Sequence, residues 1–187
     1  MTAPGKPSGR DLVITVSGLH GTGKTTYAMR IAEALGLRYV SAGEMFRRMA
    51  EEREITLEEM SRLAEGDPEI DRLVDERTRG EARRGGAVID ATLSGWMVQD
   101  ADIKIFLTAP LDVRVRRIAA RDGLSVEEAE DATLLREEIE RRRFGACYGI
   151  DISDLSIYDV VLNTELFDAD GASGILKKVV EEYCSRR

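Results

Sequence analysis

Short aliphatic and β-branched runs alternate along the chain with longer stretches in which apolar side chains recur every three or four positions. Residues 11–17 form a near-continuous apolar run, the pattern of a strand buried on both faces. Residues 24–35 carry a helical period that Gly36 stops. A strand is expected over 37–40 and a helix over 44–53. Thr56 and Glu59 form a capping box that opens the next helix. Asp67-Pro68 then supplies an N-cap and a proline at the first helical position. That helix runs to about Arg84 with Ile70, Leu73 and Val74 as its apolar side, and Gly85-Gly86 ends it. Strands follow over 87–91 and 102–108, then a helix from Pro110 to about Arg121 with Val113, Ile118 and Ala119 toward the core. Ser125 and Glu128 form a second capping box ahead of a long polar helix to about Phe144. A strand over 159–163 and a helix over 168–183 complete the pattern. Strands separated by helices require crossovers, so the fold class is α/β, a parallel sheet with helices on both faces. Residues 1–10 hold two of the four prolines and are read as a flexible tail, leaving 11–187 as one domain.

Composition narrows the partners. The 187 residues carry a net charge of −8, which argues against coating a nucleic acid. Of the cations, 22 are arginine and five are lysine, and arginine is the better fork for phosphate, although base composition of the gene explains such a bias equally well. No apolar stretch reaches the roughly 18 residues of a membrane span, so no membrane partner is expected. The only cysteines, Cys147 and Cys184, lack metal-site spacing and fit a reducing cytoplasm. His20 is the only histidine, which excludes histidine triads and multi-histidine metal sites.

The chemistry concentrates in Gly18-Leu19-His20-Gly21-Thr22-Gly23-Lys24-Thr25, followed by Thr26. This fits G-x-x-x-x-G-K-[ST], the phosphate-binding loop, between a buried strand and an amphipathic helix. Glycines let successive backbone N–H groups turn inward on a phosphate, and the helix adds free N–H groups and a positive dipole end. Lys24 is expected on the β- and γ-phosphates, and the Thr25 hydroxyl on Mg²⁺. His20 fills a variable position and is read as a tolerated side chain. The loop fixes a nucleotide, not a reaction. A GTPase would need D-x-x-G and N-K-x-D; Asp90-Ala91-Thr92-Leu93 lacks the glycine and N-K-x-D is absent. A motor would need a longer chain. A small kinase remains.

Beyond the loop, three stretches resemble the nucleoside monophosphate kinases, most closely the archaeal-type cytidylate kinases, and the likeness runs from about Leu12 to Tyr183. Ser41-Ala42-Gly43-Glu44-Met45-Phe46-Arg47 is similar to the family's S-x-G-[DE]-x-x-R. Asp90 to Met97 is similar to the element that carries the Walker B acid. Tyr148-Gly149-Ile150-Asp151-Ile152-Ser153-Asp154-Leu155, with Tyr158-Asp159, is similar to a run of the archaeal branch. The resemblance implies a three-layer P-loop NTPase fold around a five-stranded parallel sheet. It adds an acceptor-binding insertion over about 41–84 and a lid over about 122–151. It implies γ-phosphoryl transfer from ATP to CMP, and also to dCMP, by a monomer using Mg²⁺. Thr25 and Asp90 would hold the metal, with Asp90 also lining the substrate site; Arg47 would hold the acceptor phosphate; lid arginines Arg136, Arg141 and Arg143 would close over the transferring group.

Blander explanations stand beside these roles. Residues 114–143 hold eight arginines and eight acids, and Glu137 with Arg141 at i, i+4 suits a solvated, ion-paired face. Asp71, Arg72 and Asp75 either read a base edge or brace the acceptor helices, with bracing the better fit. Trp96 packs in the core or beside the base. Arg121 is expected near the donor base or simply in solvent. One departure stands out: where the family has an acid followed by Gly-Arg, this chain has Asp90-Ala91-Thr92, without the arginine. A kinase of another small acceptor, or a nucleotide-binding ATPase module working with a protein partner, remain the alternatives.

Overall fold

A computed structural model describes residues 11–186. The first strand, β1 (Val13–Gly18), is buried at every position, because it lies mid-sheet with helices on both faces. β2 (Arg38–Ser41), β3 (Ala87–Asp90), β4 (Ile103–Thr108) and β5 (Val160–Asn163) join it in the order β2-β3-β1-β4-β5, all parallel. The α/β class and the five-stranded parallel sheet are therefore those of the sequence pattern. In register, Ser41 and Val16 both pair with Asp90, and Gly18 pairs with Leu107. The carboxyl ends of the strands thus share one edge, and the chain reverses its winding at β1, where open α/β sheets place ligands.

Alternation on the strands divides the core. Ile14 and Val16 pack with Val88, Ile105 and Leu107 against α1 (Lys24–Leu35). α8 (Ala169–Ser185) covers the same face with Leu176 and Val180. On the other face Val13, Ala87 and Ile89 meet Ala82 and Val98. The helices α2 (Ala42–Glu52), α3 (Leu57–Gly66) and α4 (Pro68–Arg83) enclose a separate core of Phe46, Met49, Met60, Ile70 and Val74. A short helix α5 (Ser94–Met97) follows β3, and its four residues carry no periodic signal that a sequence reading could use. α6 (Leu111–Asp122) packs on the start of α7 (Val126–Tyr148) through Val115, Ile118, Ala119 and Ala129.

Both capping boxes form as expected, Thr56 with Glu59 and Ser125 with Glu128. Asp67 caps α4 through the Glu69 N–H. Two inward residues differ from expectation. Leu73 is exposed, because the buried stripe of α4 runs through Asp71, Val74, Thr78 and Ala82 instead. Val115 rather than Val113 is the buried valine of α6, and Arg114 is buried beside it. α7 continues to Tyr148, four residues past Phe144, until Gly149 ends it at φ 64°. The proposed tail lies outside the described residues. Among the described residues no helix is long and apolar enough to cross a membrane, and both cysteines are free and exposed.

Candidate active site

The loop leaves β1 at Gly18, whose φ of 144° suits glycine alone; a Cβ there would sit 2.3 Å from the Leu107 carbonyl oxygen. A Cβ on Gly21 (φ 78°) would meet the Arg114 carbonyl at 2.5 Å, so α6 presses directly against the loop. Inside the curl, the Leu19 carbonyl accepts from Thr22 Oγ1 at 2.8 Å and from Lys24 Nζ at 3.0 Å. Thr22 thus closes the loop with its buried hydroxyl. Burial pulls the Lys24 ammonium below its ordinary value, against the field of Asp90, Glu140 and Glu137. The Arg136 charge also lowers it. An anion arriving at the loop would relieve both costs. Thr26 is exposed on the first turn of α1.

Asp90 ends β3 almost fully buried. Its Oδ2 accepts from Thr25 Oγ1 at 2.7 Å and from Tyr39 Oη at 2.9 Å. Burial and the Asp90 charge push the Tyr39 phenol up to about 12, so it stays a donor. A hydroxyl and a carboxylate touching at the mouth of a phosphate loop fit Mg²⁺, which takes one or two protein oxygens and completes its shell with phosphate and water. Among the described residues there is no cluster of three or more His, Cys, Asp or Glu that would suit a protein-only cage.

Two arginines of α6 brace the loop from behind. Arg114 Nη1 donates to the His20 carbonyl at 2.9 Å and to Glu137 Oε1 at 2.6 Å. Arg117 donates to the Gly21 carbonyl at 3.3 Å and to both oxygens of Thr164 at 2.9 Å. Thr164 in turn donates to the Thr22 carbonyl at 3.0 Å. Neither residue was anticipated in this role; one available signal was that Arg114 stands four positions before Ile118, on the same helix face.

The lid arginines separate by direction. Arg136 Nε donates to Glu140 Oε1 at 3.2 Å, on the loop side of α7. Arg143 lies deep on the acceptor side. Its Nε is 2.8 Å from Asp71 Oδ2, too bent for a hydrogen bond, and its guanidinium covers the rings of Phe46 and Phe144 at 5.5 and 5.1 Å. Arg141 faces solvent and pairs with Glu138, so the structure does not bring it to the site. Glu137 pairs with Arg114, not with Arg141 as the helical spacing suggested. His20 is no idle side chain either: it contacts Glu140, a residue the sequence reading left in a solvated face.

On the acceptor side, Arg47 is exposed beside Gly43 and has no ion-pair partner among the described residues. Asp71 and Asp75 brace α4 to α7, through Arg143 and through the Tyr148 hydroxyl that donates to Asp75. Burial raises Asp71 to about 6 despite Arg143, and raises Asp75 as well. Arg72 pairs with Glu69 in solvent. Trp96 packs with Leu93, Met97, Phe144 and Tyr148. Arg121 is exposed and pairs with Asp122.

This arrangement has close relatives. A cytidylate kinase from Pyrococcus horikoshii is 50% identical over 91% of this chain and 88% of its own length. The chain belongs to the cytidylate kinases. A second cytidylate kinase, from Staphylothermus marinus, is 46% identical over 92% of this chain and 98% of its own. A family model described as an AAA domain matches residues 17–136, from the end of β1 to Arg136. A solved shikimate kinase from Bacteroides thetaiotaomicron, 19% identical, superposes with a TM-score of 0.62 over 91% of this chain and 98% of that one, and shares the P-loop kinase fold.

Proposed function

We propose that the protein transfers the γ-phosphoryl group of ATP to CMP, and also to dCMP, giving ADP and the matching diphosphate. The observation that carries this is the Lys24, Thr25 and Asp90 cluster at the phosphate loop, in a chain that also carries on α2 an Arg47 with no ion-pair partner among the described residues. That chain is half identical to a cytidylate kinase.

A CMP phosphate oxygen attacks the γ-phosphorus as the bond to the β–γ bridging oxygen breaks, and ADP leaves with that oxygen's electron pair. The acceptor oxygen is already deprotonated near neutrality, so no protein base is required. The protein's work is positioning and neutralising charge. Loop amides and Lys24 hold the donor. Thr25 and Asp90 would hold Mg²⁺, which would supply charge neutralisation on the phosphate oxygens. Arg47 holds the acceptor phosphate, and Arg136, whose terminal nitrogens make no hydrogen bond among the described residues, meets the transferring oxygens. Arg143 braces the acceptor helices against the lid instead of touching phosphate. Closure of α7 excludes water that would otherwise hydrolyse ATP. Two free, exposed thiols suit a reducing cytoplasm as the place of action.

A coupled assay of ADP release across CMP, dCMP, UMP, AMP and GMP tests the proposal. Release that depends on CMP and dCMP supports it. Acceptor-independent ATP hydrolysis would overturn it in favour of an ATPase module.

A further inference from the structure

The loop position that the motif leaves free is the most heavily tethered residue of the loop. His20 is held at three atoms. Its N–H donates to Glu137 Oε1 at 3.1 Å, its carbonyl accepts from Arg114 at 2.9 Å, and its ring Nε2 lies 2.9 Å from Glu140 Oε2. Glu140 is buried, which alone would raise it; the His20 hydrogen bond and the Arg136 charge outweigh that and hold it down at about 2, while burial lowers His20 itself. An ionised carboxylate can only accept, so Nε2 carries the proton and donates. The other Glu140 oxygen accepts from Arg136 Nε at 3.2 Å. One buried carboxylate therefore joins a loop side chain to a lid arginine, and both of its oxygens are used. Arg136 spends only Nε on this bond, so its two terminal nitrogens remain available, and its charge lowers Lys24.

We propose that His20 is a positioning residue for phosphoryl transfer: through Glu140 it fixes the guanidinium of Arg136 over the phosphate loop. The proposal rests on the assignment of Arg136 to the transferring group. A phosphate loop normally holds the donor with backbone N–H groups. Here the loop also aims the residue that neutralises the group being transferred. Glu140 bound to Arg136 alone could swing with the long arginine stem. With its second oxygen tied to the loop, it presents Arg136 in one orientation.

A double-mutant cycle on the full chain decides this. The single-turnover transfer rate from ATP to CMP is measured for wild type, H20A, R136A and H20A/R136A, with equilibrium CMP affinity measured alongside. Misplacing one group costs roughly 10- to 100-fold in rate, so H20A should lose that much and bind CMP as wild type does. H20A/R136A should be no slower than R136A, because His20 has nothing left to aim. H20Q, whose amide nitrogen reaches where Nε2 lies, should recover most of the rate; H20N, too short for Glu140, should not. That last pair carries the comparison if the alanine variant does not fold. A wild-type rate in H20A, losses that multiply in the double variant, or equal rates in H20Q and H20N would each overturn the proposal. A wild-type rate in R136A would remove the role of Arg136 and the proposal with it. R136A slow with H20A unimpaired would remove only the proposal.

Discussion

Replacing Arg143 with methionine should destabilise the protein far more than loss of an ordinary surface ion pair. Both partners of the Arg143–Asp71 pair are 6% exposed, and the guanidinium lies over Phe46 and Phe144. Methionine keeps most of the volume and leaves Asp71 buried without its cation. Removing one partner of a buried pair costs about 3–5 kcal/mol, against ~0–1 kcal/mol for an exposed one. In a chain of this size each kcal/mol moves the melting midpoint by about 2–4 °C, so a drop of about 6–20 °C is expected. Arg143 is also the partner that lowers Asp71, so its loss drives the acid further above about 6. A carboxyl whose folded-state pKa is raised stabilises below its unfolded value and loses that contribution as pH rises through the folded value. The deficit of R143M should therefore widen from pH 5 to pH 8. Urea titrations of wild type, R143M and R143M/D71L across that range measure it. The double variant, with no buried charge, should recover most of the loss. A deficit below ~1 kcal/mol, or a double variant as weak as R143M, would show that water reaches Asp71 and that the pair is not what joins α7 to α4.

Four further outcomes are expected. K24A should fold normally and lose roughly 10²–10³ in transfer rate, as removal of a transition-state charge does; a near-normal single-turnover rate would remove Lys24 from the mechanism. Glu140, held at about 2, should contribute stability that is present above its ordinary 4.5 and is lost as pH falls toward 2; a flatter acid-unfolding curve in E140Q checks this. Backbone hydrogen exchange over residues 122–151 should slow most when ATP and CMP analogues are bound together, and an unchanged pattern would argue against closure. T92R, which adds a cation beside Asp90 where the sequence resemblance led one to be expected, should tighten CMP binding about tenfold or more if the added fork reaches phosphate, with ATP affinity unaltered; calorimetric titration of CMP into both forms reads the difference.

Sheet, loop and caps were legible in the sequence because each is a local pattern: a buried run before Gly18, glycines where backbone must curl, Thr56 and Ser125 three residues ahead of a glutamate. Thr25 and Asp90 could be paired because the motif specifies one and the family resemblance supplies the other. What stayed hidden depends on charges buried between distant elements. Arg114 and Glu140 look like solvated surface in a one-dimensional pattern, since periodicity assigns charges to the outer face. Each has its buried partner 23 or more positions away in the sequence, namely Glu137 and His20. The same blindness placed Leu73 inward, where Asp71 in fact takes the buried side. His20 was underestimated because the motif marks its position as variable, which constrains the loop alone and not what a lid helix brings to it.

The two halves of the site rest on separate cores: β1, α1 and α8 under the loop, and Phe46, Met49, Met60, Ile70 and Val74 inside α2–α4. Side-chain volume exchanged within the second set is absorbed there, since little of it packs against the first. Drift at the acceptor end then reaches the donor chemistry chiefly through α7, whose Arg143 covers Phe46 and whose Glu140 meets His20. A lineage carrying this chain can vary the packing of the acceptor-side helices by small exchanges among α2, α3 and α4, while the phosphate loop keeps a geometry that tolerates no side chain at Gly18 or Gly21.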